Sequence, residues 1–214
     1  MSDDLAGEYA SRHSTLLCQM ASSLEDHLTD LLMGAQRIDR VSARAKSPDR
    51  FMAKALKKDD AGRPKYDDPI HQIQDQIGAR IIVFYLQDVD KIRDVITSYM
   101  TAIEIQKKEP LGDSEFGYFG EHFILKIPDE IIPDGREDES PEFFELQIKT
   151  LFQHAWSEAD HDLGYKSVRN LSPLEKRQVA FSAAQSWGAD QVFAQLANAL
   201  VFANDQDSTM PENK

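Results

Sequence analysis

One strand-like stretch of the chain, FELQIKT at residues 144–150, alternates polar and apolar side chains. Its polar residues Glu145, Gln147 and Lys149 would share one face of a β-strand, because successive side chains point to opposite faces. A carboxylate on such a face can act as a base or as a ligand of a hard cation. A plain surface strand would show the same alternation, so the chemistry depends on what the polar face meets.

The segment that follows reads as a helix from Leu151 to Leu163 and carries two histidines and an acid. His154, Glu158 and His161 are spaced i, i+4 and i+7, which puts them on one helical face. This face is similar to a metal site of phosphohydrolases, but such a site also needs a further histidine on an upstream helix, and His122 lies on a predicted strand. We therefore expect the three side chains to support the strand or to contact phosphate rather than to bind a transition metal.

A second acid precedes a buried strand in the segment DQIGAR, where Asp75 comes before the strand and Arg80 lies near its start. An acid at the mouth of a sheet is a common ligand of Mg²⁺, which prefers carboxylate and phosphate oxygens. The alternative is a turn aspartate paired with an arginine for structural reasons.

The segment SARAKSPDRFMAK at residues 42–54 places cations around a helix start. Ser47 is the predicted N-cap before a proline at the first helical position. Arg44 and Lys46 precede this start and Lys54 lies two turns inside the helix. Free N–H groups and the helix dipole favour phosphate at this position. Ordinary surface charge is the alternative interpretation.

Net charge separates this region from the rest of the chain. Residues 37–65 hold ten Lys or Arg and four Asp or Glu, whereas the whole chain carries −13. The overall charge argues against general nucleic-acid binding, and the local basic block suggests a polyanionic ligand of limited size.

The segment GYFGEH at residues 117–122 combines two glycines with Tyr118 and His122. The glycines permit close approach of the backbone to a ligand, and a tyrosine there could stack on a flat base. A tyrosine packed within a loop is the alternative.

Composition limits the class of protein. The chain has 214 residues, 41% of them hydrophobic and 29% charged, as in a soluble domain. A single cysteine permits no internal disulfide, no apolar run is long enough for a membrane span, and the acidic start MSDDLAGEYA lacks a secretion signal. We expect a cytoplasmic location and no membrane contact.

Periodicity predicts an α+β fold with a mixed sheet of about four to five strands, with helices packed on it and helical extensions at both termini. The predicted helices lie at residues 4–34, as one long helix or two stacked ones, and at 47–58, 88–100, 151–163 and 172–202. The predicted strands lie at residues 79–86, 102–107, 119–127 and 142–150.

Four of these segments together resemble the alarmone synthetase domain of the RelA/SpoT family. They are ARAKSPDRFMAK, IQDQIGARIIVFYL, GYFGEH and ELQIKTLFQHAWSEADHDLGYK, in the order and spacing of the family. The resemblance implies a nucleotidyltransferase-like synthetase fold and transfer of pyrophosphate from ATP to the ribose 3′-hydroxyl of GDP or GTP, with Mg²⁺. It suggests a helical extension at residues 1–36, a synthetase core at 37–166, a second extension at 167–203 and a disordered tail at 204–214.

The family's residue roles can be carried onto this chain. Asp75 and Glu145 resemble the Mg²⁺ carboxylates and catalytic residues, with Glu145 also a candidate base. The predicted ATP-binding residues are Arg44, Lys46, Ser47, Lys54 and Arg80. The predicted acceptor-binding residues are Tyr118, His122 and Gln147, and the predicted supporting residues are His154, Glu158 and His161.

One difference from the family's sequence pattern leaves the identity of the acceptor undecided. Phe119 and Gly120 stand where the family commonly has Arg or Lys followed by Ser. The chain is similar to the small, single-domain synthetases, which include toxin-type members that act on adenosine nucleotides or on the 3′ end of tRNA and can have an antitoxin partner. Small members also form homo-oligomers through terminal helices. A non-catalytic nucleotide-binding regulator is a further alternative.

Overall fold

A computed structural model describes residues 2–108, 112, 115–117, 120–166 and 169–202 of the chain. A long helical segment comes first, with α1 at Ser2–Arg12 and α2 at Cys18–Leu31, joined by a π-helical turn at His13–Leu17. The residues flanking that turn keep right-handed helical dihedrals, so the predicted N-terminal helix is one continuous element. The predicted tail at 204–214 lies outside the described residues.

The remaining elements follow in the order expected of an α+β domain. They are β1 (Ile38–Ala45), α3 (Pro48–Ala55), α4 (Pro69–Gln72), β2 (Ile77–Val83), α5 (Leu86–Tyr99), β3 (Ala102–Lys108), β4 (Gly120–Lys126), β5 (Phe143–Thr150), α6 (Leu151–Lys166) and α7 (Pro173–Ala197). A π-helical turn at Asn198–Phe202 extends α7, and short 3₁₀ turns lie at Gln74–Gln76, Asp129–Ile131 and Glu137–Glu139.

The five strands form one mixed sheet in the order β1-β2-β5-β4-β3. β2 and β5 are parallel, whereas the other three neighbouring pairs are antiparallel. The predicted α+β class and mixed sheet are therefore confirmed. Within the described residues, no helix combines the length and the apolar character needed to cross a lipid bilayer.

One face of the sheet is the apolar core. Phe144, Leu146 and Ile148 of β5 are fully buried, as their alternation predicts. They belong to a cluster with residues of the N-terminal helix, including Leu24 and Leu28, and with residues of α5. Because this face is covered, the polar residues of the same strands must lie on the opposite face, where ligands can reach the sheet.

Some of the sequence-based element predictions were wrong, each for a local reason. The β1 strand was missed because its polar residues interrupt any apolar run, as is typical of an edge strand. The helix predicted at 88–100 begins earlier, at Leu86 with Tyr85 as its N-cap, and the Asp88 carboxylate completes a capping box from the third helical position. The helix predicted at 47–58 ends at Ala55, and Lys58 instead forms a β-bridge with Pro64.

Candidate active site

Strand register lines up polar side chains across the open face of the sheet. Arg80 on β2 is paired with Ser42 on β1 and with Gln147 on β5, and Gln147 is paired with His122 on β4. His122 is in turn paired with Gln106 on the edge strand β3. All five strands thus contribute one residue to a continuous polar row.

Two clefts adjoin this face. The basic cleft has a volume of about 460 Å³, and its lining includes Arg40, Arg44, Lys46, Ser47, Arg50, Arg80, Gln147, His154 and Glu158. The second cleft has a volume of about 360 Å³, and its lining includes Lys54, Lys65, Tyr66, Glu104, Gln106 and His122. Asp75 and Glu145 line both clefts, so the two carboxylates lie at their junction.

Asp75 lies on the 3₁₀ turn before β2, with non-helical dihedrals of φ −94° and ψ 35°. Its carboxylate oxygens are 2.8 Å from Lys46 Nζ and 2.9 Å from Lys54 Nζ. Burial alone would raise the pKa of Asp75, but the two lysines outweigh it and hold the pKa below its ordinary value. The side chain is therefore a partly buried anion between two cations.

Glu145 is held from the other side by His122, whose Nδ1 is 2.5 Å from Glu145 Oε1. Burial acts to raise the pKa of Glu145 and the Asp75 charge acts in the same direction. The contact with His122 and a hydrogen bond from Gln147 outweigh both, so that pKa is lowered overall. Two carboxylates thus stay ionised close enough to affect each other, each balanced by its own partners.

The histidine-bearing face of α6 is directed at the arginines of the basic cleft. Arg80 Nη1 donates to Glu158 Oε1 at 2.7 Å and lies 3.2 Å from His154 Nδ1. Arg50 Nη2 lies 3.5 Å from His161 Nε2. These contacts agree with a supporting role for the three α6 residues, because each one touches an arginine side chain.

Lys149 ends the polar row of β5 in a buried position, with 2% of its surface exposed. Its Nζ donates to Ser157 Oγ at 3.0 Å, which ties β5 to α6. Burial and the nearby Arg80 charge lower the pKa of Lys149 to about 8. Lys149 therefore connects β5 to α6 and does not line either cleft.

The side chains at the junction supply part of the ligand set that a hard divalent cation needs. Asp75 and Glu145 offer carboxylate oxygens, which Mg²⁺ prefers, and each carboxylate disfavours the ionised form of the other unless a cation lies nearby. Among the described residues, no group of three or more His, Cys, Asp or Glu side chains could hold a metal ion. Any Mg²⁺ there would complete its shell with water and phosphate oxygens.

Most predicted site residues come together around this junction. Arg44, Lys46, Ser47, Arg80 and Gln147 line the basic cleft, whereas Lys54 and His122 line the second cleft. Ser47 does occupy the N-cap of α3, but its side chain makes no capping hydrogen bond. Tyr118 lies outside the described residues. Gln147, predicted on the acceptor side, lies in the basic cleft, and Lys54, predicted for ATP, lies in the second cleft.

Sequence reasoning missed several lining residues. Arg40 and Ser42 were overlooked because β1 was not predicted, although their spacing with Arg44 has the period of a strand. Glu104 and Gln106 were overlooked although β3 was predicted, and their alternation within AIEIQKK was the available signal.

The model of the region found in RelA / SpoT proteins matches residues 43–170 of this chain. The chain belongs to the RelA/SpoT family. All the predicted site residues, from Arg44 to His161, lie within the matched region. The GTP pyrophosphokinase YjbM of Bacillus subtilis (strain 168) is 24% identical over 107 residues, which cover 48% of this chain and 49% of that protein. The match thus spans about half the length of this curated relative.

Solved structures at lower identity share the fold. The small alarmone synthetase 1 from Bacillus subtilis superposes with a TM-score of 0.72 at 18% identity, covering 92% of this chain and 98% of that one. A GTP pyrophosphokinase family protein from Streptococcus pneumoniae gives a TM-score of 0.72 at 20% identity, covering 96% and 98%. The likeness extends beyond the matched region, since both coverages exceed nine-tenths of this chain.

Proposed function

We propose that this RelA/SpoT-family protein transfers pyrophosphate from ATP to the ribose 3′-hydroxyl of GDP or GTP, with Mg²⁺. The observation that supports it most is the junction of Asp75 and Glu145 between a basic cleft and a second cleft. Transfer between two nucleotides needs two ligand spaces that meet at the reacting atoms.

The basic cleft suits ATP. Arg44 and Arg80 provide planar guanidinium groups that can flank adenine, and Lys46, paired with Asp75, lies where the ATP phosphates would approach the carboxylates. Burial, and then the charges of Arg50 and Arg80, lower the pKa of Arg44. A polyanionic ligand would relieve this crowding of positive charge, which favours ATP binding over an empty cleft.

Glu145 is the candidate base. In the proposed reaction the acceptor 3′-oxygen bonds to the β-phosphorus of ATP, the bond from that phosphorus to the bridging α–β oxygen breaks, and AMP leaves. The 3′-hydroxyl proton passes to Glu145. Its lowered pKa keeps the carboxylate in the ionised form that a base requires, and His122 fixes its orientation.

Asp75 and Glu145 would hold the Mg²⁺ ion, which when bound would neutralise charge on the transferred phosphates. The lysines on Asp75 add further positive charge at the same place. Catalysis of this kind rests mainly on positioning and on charge neutralisation, which the partly buried charges of the junction provide.

The resemblance also suggests a homo-oligomer formed through the terminal helices. Apolar side chains exposed on and just beyond α7 support this proposal: Leu174, Phe181, Val192, Phe193, Leu196 and Leu200. Cytoplasmic location remains part of the same proposal.

A transfer assay tests the function. The protein is incubated with ATP labelled on the β-phosphate, Mg²⁺ and, in turn, GDP, GTP, ADP and tRNA, and the products are separated. Label on GDP or GTP is the expected result. Label only on ADP or tRNA would show a toxin-type acceptor, and ATP binding without any transfer would show a non-catalytic regulator.

A further inference from the structure

We propose that Glu104, oriented by Gln106, reads the acceptor base and selects guanine over adenine. The proposal rests on the function proposed above and names the group that decides its acceptor. Neither residue belongs to the motifs that carry the family resemblance.

Glu104 and Gln106 lie on one face of β3, the edge strand, and both line the second cleft. The Gln106 Nε2 group donates to Glu104 Oε1, so the amide restrains the carboxylate. Glu104 has an exposed side chain and its carboxylate can therefore meet a ligand in this cleft. Glu145 lines the same cleft. An acceptor whose 3′-hydroxyl lies at Glu145 can therefore place its base and its phosphates in the second cleft.

Strand register gives the span between the two acids. Glu145 on β5 is paired with Ile124 on β4, and Ile124 is paired with Glu104 on β3. Neighbouring strands lie about 4.8 Å apart, so the two backbones are separated by roughly 10 Å. A purine nucleoside has a reach of the same order from its 3′-oxygen to the far edge of its base. An acceptor lying across β4 would thus present its base edge to Glu104.

The charges of the second cleft favour this orientation. Its cations, Lys54 and Lys65, come from α3 and from the loop after it, whereas Glu104 comes from the far edge of the sheet. Acceptor phosphates would be repelled by Glu104 and attracted by the lysines. The neutral base is then the part of the acceptor that can lie against β3.

Hydrogen-bond chemistry then selects the base. An ionised carboxylate only accepts hydrogen bonds. Guanine offers it two adjacent donors, the N1–H and the 2-amino group, whereas adenine has an acceptor at N1. Adenine would leave one carboxylate oxygen facing another acceptor, which costs free energy in a partly desolvated cleft. Glu104 therefore favours guanine by attraction and disfavours adenine by repulsion.

The test compares Glu104→Gln with the wild type, using GDP, IDP and ADP as acceptors at saturating ATP and Mg²⁺. IDP keeps the N1–H but lacks the 2-amino group. Loss of a two-point contact is expected to lower kcat/KM for GDP by about tenfold or more. The variant should use ADP at least as well as the wild type does, and the preference for GDP over IDP should shrink. The KM for ATP should stay within about twofold of its wild-type value, because the basic cleft does not contain Glu104. Glu142→Gln is the matched control, since Glu142 is an exposed acid outside both clefts.

The outcomes separate the two proposals. A wild-type protein that transfers label to no nucleotide contradicts the proposed function. If the wild type prefers GDP and Glu104→Gln keeps that preference, only the base-reading role is wrong. If Glu104→Gln lowers kcat/KM equally for GDP and for ADP, the role of Glu104 is also wrong. A wild type that prefers ADP over GDP would overturn it as well.

Discussion

At the scale of single residues, the site depends on two carboxylates whose charges are balanced by different partners. Asp75 is paired with Lys46 and Lys54, and Glu145 is paired with His122. Because the partners differ, loss of either carboxylate should leave its partners in place but remove a charge from the junction. The two acids can therefore be tested separately by nearly isosteric amides.

We expect Asp75→Asn and Glu145→Gln each to reduce pyrophosphate transfer by about a hundredfold or more, because each removes a group that we propose acts on the reacting atoms. Thermal unfolding should show that both variants remain folded. Asp67→Asn serves as control, since Asp67 is an exposed acid in the loop just before α4. Activity near the wild-type level in both site variants would refute the assignment of these carboxylates.

The contact between Glu158 and Arg80 offers a more selective test. Glu158 is the closest partner of Arg80, at 2.7 Å, and holds it in the basic cleft. Glu158→Gln should raise the KM for ATP about three- to tenfold, because an amide holds a guanidinium less firmly than a carboxylate does. The KM for the acceptor should change little. Asp160→Asn, on the same helix but outside the basic cleft, is the matched control. A larger effect on the acceptor than on ATP would contradict the placement of Arg80 in the ATP site.

At the scale of elements, a buried acid attaches α7 to the end of β5. Thr150, the last residue of β5, donates to Asp190 Oδ2 at 2.8 Å, and Asp190 is only 3% exposed. Among the described residues, the other carboxylate oxygen of Asp190 has no hydrogen-bond partner. Burial raises the pKa of Asp190 from 3.8 to about 6, partly opposed by the Thr150 hydrogen bond.

This raised pKa predicts a pH-dependent contribution to stability. A carboxyl whose folded pKa lies above its unfolded value stabilises the fold fully below pH 3.8 and loses that contribution as the pH rises through about 6. The free energy of unfolding of Asp190→Asn, relative to the wild type, should therefore rise by about 2.5 kcal/mol between pH 4 and pH 8. Urea unfolding of both proteins across this range measures it. A constant difference between the two proteins would show that Asp190 is not protonated more readily in the folded state.

The elements also show which features the sequence could predict. The apolar face of β5 was predictable because Phe144, Leu146 and Ile148 alternate with polar residues and all three are buried. The β1 strand was not, because an edge strand needs no apolar run and its stability comes from pairing with β2. Motifs located most of the predicted residues near the junction, but only the register of β3, β4 and β5 placed Glu104 across β4 from Glu145.

At the scale of the whole molecule, charge and apolar surface are segregated. A chain of net charge −13 concentrates cations around one cleft, so the attraction of a phosphate-rich ligand is local rather than general. The apolar surface is concentrated elsewhere, on the outer face of α7. Helical spacing places Leu174, Phe181 and Val192 on the same side of that helix, and all three are exposed.

An exposed apolar stripe of this kind is typical of a helix that packs against another chain, because burial of apolar surface drives association. The double variant Phe181→Lys with Val192→Lys should therefore shift the protein from an oligomer to a monomer in light scattering after gel filtration. Thr97→Lys adds a charge to an exposed position of α5 and controls for the change of charge alone. A wild-type protein that is monomeric at all concentrations would contradict the oligomer. The monomeric double variant should still transfer pyrophosphate, because residues of a single chain line both clefts and supply both carboxylates.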